Sequence, residues 1–77
     1  MTNCIIVRSH GRRLDLLRGE ASRISRGYKA DWWIERGDKG TQFCFEDADS
    51  KKAFALVCEN LAVQYTEADE LASEANF

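Results

Sequence analysis

Residues 30–46, ADWWIERGDKGTQFCFE, contain the pattern that decides the fold. Two runs rich in aromatic and β-branched residues flank the segment Gly37-Asp38-Lys39-Gly40, which has the composition of a turn. This pattern predicts a β-hairpin with one strand at residues 30–36 and the other at residues 41–46.

The register of the hairpin follows from its loop length and from strand alternation. A four-residue loop gives the pairs Arg36↔Thr41, Ile34↔Phe43 and Trp32↔Phe45. The last two pairs place four apolar side chains on one face, which we predict to be the core side. The opposite face then carries Asp31, Trp33, Glu35, Gln42, Cys44 and Glu46. Only Trp33 and Cys44 interrupt the polar character of that face.

A strand and a helix are predicted before the hairpin. Residues 4–7 form a short apolar, β-branched run that is typical of a central strand. Apolar residues then recur every three or four positions, which places on one helical face Leu14, Leu17, Ala21, Ile24 and Tyr28. Gly27 suits the left-handed position that commonly ends a helix.

A second helix is predicted after the hairpin. Acidic residues at 46–49 suit the start of a helix, and helical spacing continues through Phe54, Val57, Cys58, Leu61 and Tyr65. These positions predict a helix from about residue 49 to residue 65. In the alternative, the helix ends at Asn60 and residues 62–66 form a fourth strand, which completes a ferredoxin-like β-α-β-β-α-β unit.

The sequence therefore predicts one small α+β domain at residues 1–66, with the order β-α-β-β-α or its four-stranded alternative. Short connections place both helices on one face of the sheet and leave the other face open. Residues 67–77 are predicted to be an acidic tail, either a marginal helix or a frayed end.

Composition argues against several classes of protein. No apolar run approaches the roughly 18 residues that cross a bilayer, and the first residues do not resemble a signal peptide, so we predict a cytoplasmic protein without a membrane partner. The three cysteines have no CxxC spacing, which predicts free thiols rather than a disulfide framework. We expect no metal and no other cofactor on the same grounds.

No catalytic motif accompanies the only histidine, His10. Neither a Ser-His-Asp nor a Cys-His pattern is present, so we predict a protein without catalytic activity. A small-ligand domain or an enzyme without a recognisable motif is a further alternative.

The main functional hypothesis is a small interaction or regulatory module that binds a protein partner or itself, as a homodimer for example. A lone Trp on a polar sheet face is typical of an interface anchor. The candidate interface residues are Trp33, Cys44, Glu35 and Gln42. In the alternative, the C-terminal segment with Leu71 and Phe77 folds back over Trp33 and makes it part of the core.

Nucleic-acid binding is the other functional hypothesis. Residues 1–29 hold seven basic and two acidic residues, a net charge of +5, whereas residues 30–77 have a net charge of −7. The candidate phosphate contacts of the first helix are Arg12, Arg18, Arg23, Arg26 and Lys29. Nearby acids and the overall pI of about 5.3 disfavour this hypothesis relative to protein binding.

Overall fold

The computed structural model describes residues 3–37 and 40–67, which form an α+β structure of order β-α-β-β-α-β. Its elements are β1 (Cys4–Val7), α1 (Arg12–Tyr28), β2 (Trp32–Gly37), β3 (Gly40–Phe45), α2 (Ala48–Asn60) and β4 (Tyr65–Glu67). The strands form one antiparallel sheet in the order β2-β3-β1-β4. The predicted fold class is confirmed, and the ferredoxin-like alternative is the order found.

The hairpin has the register that the sequence predicts. β2 and β3 pair with Trp32 opposite Phe45, Ile34 opposite Phe43, and Arg36 opposite Thr41. The predicted four-residue loop is wrong, because Gly37 and Gly40 form the last pair of the hairpin and extend each strand by one residue. The strands also begin and end elsewhere than at the predicted 30 and 46, since β2 starts at Trp32 and β3 ends at Phe45. Residues 38 and 39 lie outside the described residues.

The core lies between the sheet and the two helices. β1 is a central strand, and all four of its residues are buried. Ile5 and Val7 of β1 pack in the core with Phe43 and Phe45 of β3 and with buried residues of both helices. Phe54 of α2 is fully buried, and its ring centroid lies 4.8 Å from that of Phe43. Alternate sheet residues therefore face the helices, as strand geometry requires.

The end of α1 differs from the prediction. The helix continues through Gly27 to Tyr28, and Lys29 takes the left-handed conformation, with φ of 55°. The Ala30 N–H donates to the Ser25 carbonyl at 3.1 Å, and the Ser25 hydroxyl donates to the Ala30 carbonyl, so these contacts fix the turn two residues later than expected. Ile24 is the last buried residue of α1, whereas Tyr28 is 51% exposed rather than part of the core face.

The predicted extension of α2 to residue 65 is wrong. The helix begins after Asp47, whose side chain accepts a hydrogen bond from the Ser50 N–H at 3.2 Å, and it ends at Asn60. Ala62 has a left-handed φ of 56°. Its N–H bonds to the Glu59 carbonyl at 3.1 Å, and the Val63 N–H bonds to the Cys58 carbonyl at 2.8 Å. These two bonds form a Schellman motif, which satisfies the last helical carbonyls and reverses the chain.

The reversal allows the chain to add β4 beside β1. This strand lies at Tyr65–Glu67, somewhat later than the predicted 62–66, and pairs antiparallel with residues 5–7. The Lys51 ammonium of α2 lies 2.9 Å from the Glu67 carboxylate, and the Tyr65 hydroxyl donates to Glu59 at 3.3 Å. Glu67 thus belongs to the sheet, whereas the rest of the predicted tail, residues 68–77, lies outside the described residues. Neither described helix has the length and apolar character that crossing a bilayer requires.

Candidate functional site

The candidate site lies on the sheet face opposite the helices, which we call the outer face. Strand alternation and the observed pairs place on it Cys4, Ile6, Trp33, Glu35, Gln42, Cys44 and Thr66. The four predicted interface residues, Trp33, Glu35, Gln42 and Cys44, therefore lie on one face, as the register predicts.

Trp33 presents a large aromatic surface on the outer face. Its side chain is 46% exposed, so it is not a core residue. The predicted fold-back of Leu71 and Phe77 concerns residues outside the described part of the chain. The indole N–H of Trp33 donates to Glu35 Oε2 at 2.9 Å. This bond holds the ring and the carboxylate in a defined relative orientation, which lowers the entropy lost when either group binds.

Cys4 and Cys44 form a disulfide, so the expectation of three free thiols is wrong. The two residues lie directly opposite each other in the β1–β3 register. They are 40 residues apart in sequence, and only the pairing of two non-consecutive strands brings them together. Cys44 lies on the outer face but is fully buried, so it offers little contact surface of its own.

Glu35 joins the cysteine pair to form a three-residue cluster. Glu35 Oε2 lies 3.4 Å from Cys44 Sγ. One ligand atom from each of Cys4, Glu35 and Cys44 lies within 4.8 Å of the others, with the sulfurs buried and Glu35 exposed. We predicted no metal site because the sequence lacks the short spacing that metal ligands usually have. The three residues of this cluster are far apart in the chain and come from three different strands. His10, in the exposed connection between β1 and α1, is not part of this cluster.

Cys58 is the remaining cysteine, and it lies on the other side of the sheet in the helical core. It is fully buried in α2 and has a free thiol. Burial and the nearby Glu59 carboxylate raise the pKa of the Cys58 thiol to about 11, because both disfavour the thiolate. An inert thiol of this kind is a packing residue rather than a nucleophile.

The predicted phosphate contacts are all exposed on or just after α1, namely Arg12, Arg18, Arg23, Arg26 and Lys29. Arg23 forms an ion pair with Glu20 on the same helix, which reduces the positive charge that it offers to a ligand. Lys29 occupies the left-handed position after the helix. The five residues lie on α1 and its C-terminal turn, and α1 packs on the face opposite Trp33.

β2 is an edge strand of the sheet, and within the described residues it pairs with β3 alone. Trp33 therefore lies on an edge strand, beside the Glu35 carboxylate and the cysteine pair of the outer face.

Comparison of the chain with protein-family models, curated proteins and solved structures finds no match.

Proposed function

We propose that the protein is a non-catalytic interaction module of the cytoplasm that forms a homodimer through β2. The observation that carries this proposal is the position of Trp33, which is 46% exposed on an edge strand and held by Glu35. An exposed aromatic residue with a fixed ring is typical of an interface anchor, because it contributes contact area at a small entropic cost.

The edge of β2 supports strand pairing as the mode of association. Backbone donors and acceptors on the outer side of an edge strand are a template for another strand. β2 is six residues long and contains no proline, so a second strand can pair along its length. Two copies would then form a continuous sheet with four strands from each chain.

The side chains of β2 favour one antiparallel register between the two copies. A twofold axis at Ile34 places Trp33 opposite Glu35 of the second copy and Trp32 opposite Arg36. The first pair matches the electropositive edge of an indole ring with a carboxylate, and the second matches an aromatic ring with a guanidinium group. The same axis brings the two Ile34 side chains together.

Neighbouring registers are less favourable because they oppose like charges. An axis at Glu35 places the two Glu35 carboxylates directly opposite each other. An axis at Trp33 places Asp31 opposite Glu35. Charge complementarity therefore selects the register centred on Ile34, and in that register both Trp33 rings lie on one continuous outer face.

Sedimentation velocity between about 1 µM and about 1 mM protein tests the proposal, with Trp33→Glu and Leu56→Glu as matched variants. Leu56 is 60% exposed on α2, so its variant makes the same change of charge far from β2. We expect the unmodified chain and Leu56→Glu to dimerise as concentration rises. Trp33→Glu places a carboxylate opposite Glu35 and should remain monomeric, with an unchanged far-ultraviolet circular dichroism spectrum.

A charge rescue tests the register itself. Adding Glu35→Lys to Trp33→Glu restores an attractive pair across the proposed twofold axis, so the double variant should dimerise again. A monomer at all concentrations for the unmodified chain would refute the homodimer. Loss of association in Leu56→Glu but not in Trp33→Glu would place the interface on the helices instead.

Nucleic-acid binding through α1 is a second candidate, favoured by the exposure of Arg12, Arg18, Arg26 and Lys29. Gel shift of a single-stranded and a duplex oligonucleotide at low salt tests it. Binding that is lost in Arg12→Glu with Arg26→Glu, but kept in Trp33→Glu, would support this candidate. No shift of either oligonucleotide would exclude it.

A further inference from the structure

The Cys4–Glu35–Cys44 cluster combines ligand types that suit a transition-metal ion. Its three ligand atoms come from adjacent strands of a rigid sheet and lie within 4.8 Å of one another. Thiolate sulfur and carboxylate oxygen are both ligands of Zn²⁺ in proteins. The cluster shares Glu35 with the proposed strand-pairing edge, whereas its two cysteines lie on β1 and β3, away from that edge.

We propose that reduction of the Cys4–Cys44 disulfide creates a zinc site formed by the two thiolates and the Glu35 carboxylate. Two Zn–S bonds of about 2.3 Å at a tetrahedral angle require the sulfurs to be about 3.8 Å apart. Cysteines that lie directly opposite on antiparallel strands can reach this separation once the S–S bond is broken. Three protein ligands leave one tetrahedral position for water or for a ligand from a bound molecule.

The disulfide and the zinc site exclude each other, because the same two sulfur atoms form both. A thiol reductant supplies two electrons and two protons, so the S–S bond becomes two thiols while the reductant becomes a disulfide. Zinc then replaces both thiol protons, which pass to solvent. In the cytoplasm, where thiol reductants are abundant, the reduced and metal-binding form would predominate.

The surroundings of the cluster fit an ion that enters from the outer face. Cys4 is 3% exposed and Cys44 is fully buried, whereas Glu35 is exposed, so it is the ligand in contact with solvent. The Trp33 indole N–H donates to Glu35 Oε2, so it would orient the carboxylate toward the sulfurs. Hydrogen bonds of this kind to ligating carboxylates strengthen metal binding.

Titration of the reduced, metal-free chain with Co²⁺ tests the site, because thiolate ligation produces a charge-transfer absorption. We expect one Co²⁺ per chain, displaced by Zn²⁺, and no such absorption for the oxidised chain. Cys58→Ala should bind as the unmodified chain does, because Cys58 lies in the helical core. Cys4→Ser and Cys44→Ser should each abolish the absorption.

Substitution of Glu35, the exposed ligand, tests the site without changing a buried residue. Glu35→Gln should weaken Co²⁺ binding by at least about tenfold, whereas the matched control Asp31→Asn, also an exposed acid of the hairpin, should leave it unchanged. No thiolate absorption from the reduced chain would overturn the proposal. Equal binding by the oxidised chain, or absorption that depends on Cys58 instead, would also overturn it. Trp33→Glu, which prevents the proposed dimer and removes the hydrogen bond to Glu35, should bind the ion more weakly but still show the thiolate absorption, so the two proposals fail separately.

Discussion

Gly40 meets a steric requirement at the first residue of β3. Its φ is 132°, and a Cβ atom at this position would lie 2.5 Å from the Val7 carbonyl oxygen. That oxygen belongs to the backbone of the central strand, so it has little room to move. Glycine therefore permits both the backbone conformation and the close approach of β3 to β1.

Replacing Gly40 by alanine should lower the free energy of unfolding by about 2 to 3 kcal/mol, because strain and overpacking add. Urea denaturation measures the change. Gly19→Ala is the matched control, since a Cβ atom there would meet nothing within 4 Å. That variant should raise the free energy of unfolding by up to about 1 kcal/mol through helix propensity. Equal stabilities of Gly40→Ala and the unmodified chain would contradict the geometry at the β1–β3 boundary.

The Cys58 thiol makes the free energy of unfolding depend on pH in the alkaline range. Its pKa rises from an ordinary value of 9.0 to about 11 in the folded chain. Because the unfolded chain loses this proton at lower pH, the free energy of unfolding is unaffected below pH about 8.5 and falls as pH rises toward 11. Denaturation of the unmodified chain and of Cys58→Ala across this range isolates the effect. The free energy of unfolding of the unmodified chain should fall relative to that of Cys58→Ala as pH rises. A difference that stays constant with pH would exclude a buried, protonated thiol.

At the scale of elements, the end of α2 decides whether the sheet gains its fourth strand. Ala62 adopts a left-handed conformation that side chains with a Cβ atom disfavour, and two backbone hydrogen bonds hold it there. Val63 and Cys58 at the two ends of the Schellman motif are both buried, which adds the apolar contact that often accompanies it. These contacts outweigh the strain at Ala62.

Replacing Ala62 by glycine should raise the free energy of unfolding by about 0.5 to 1 kcal/mol, because glycine takes this conformation without a steric penalty. Thermal and urea denaturation measure the gain. The same substitution at Ala55, inside α2, should instead lower stability by about 1 kcal/mol. If both variants are destabilised to the same degree, α2 continues through residue 62 and the Schellman motif is wrong.

At the scale of the whole molecule, the disulfide connects two strands that are distant in the chain. Cys4 and Cys44 close a loop with a sequence separation of 40 residues that contains α1 and β2. Closing a loop of this length restricts the unfolded chain, and in the chain-entropy model the restriction contributes about 4 kcal/mol.

Cys4→Ser combined with Cys44→Ser should therefore lower the free energy of unfolding by about 2 to 4 kcal/mol under oxidising conditions. A metal-free thiol reductant should destabilise the unmodified chain by a similar amount and leave the double variant unchanged. Urea denaturation with and without reductant gives both values. An unmodified chain with the same stability in both buffers would show that no bond joins the two sulfurs.

Local sequence patterns were sufficient to predict much of the fold. The hairpin register and its two faces were predicted because strand alternation and a short loop leave one consistent pairing. The same alternation placed Trp33 and Glu35 together on the outer face. The helical spacing from Leu14 to Ile24 likewise predicted the buried face of α1.

The sequence by itself thus determined the α+β class, the hairpin and the hairpin's part of the outer face, because these depend on contacts between near neighbours in the chain. Only the tertiary structure decided that α2 stops before Tyr65, that β4 joins β1, and that Cys4 meets Cys44. Helical spacing alone could not predict where α2 ends, because the positions of Leu61 and Tyr65 fit both a continued helix and the chain reversal that the structure shows. The cysteine cluster depends on strand order, which is set by the packing of the whole core and leaves no trace in residue spacing.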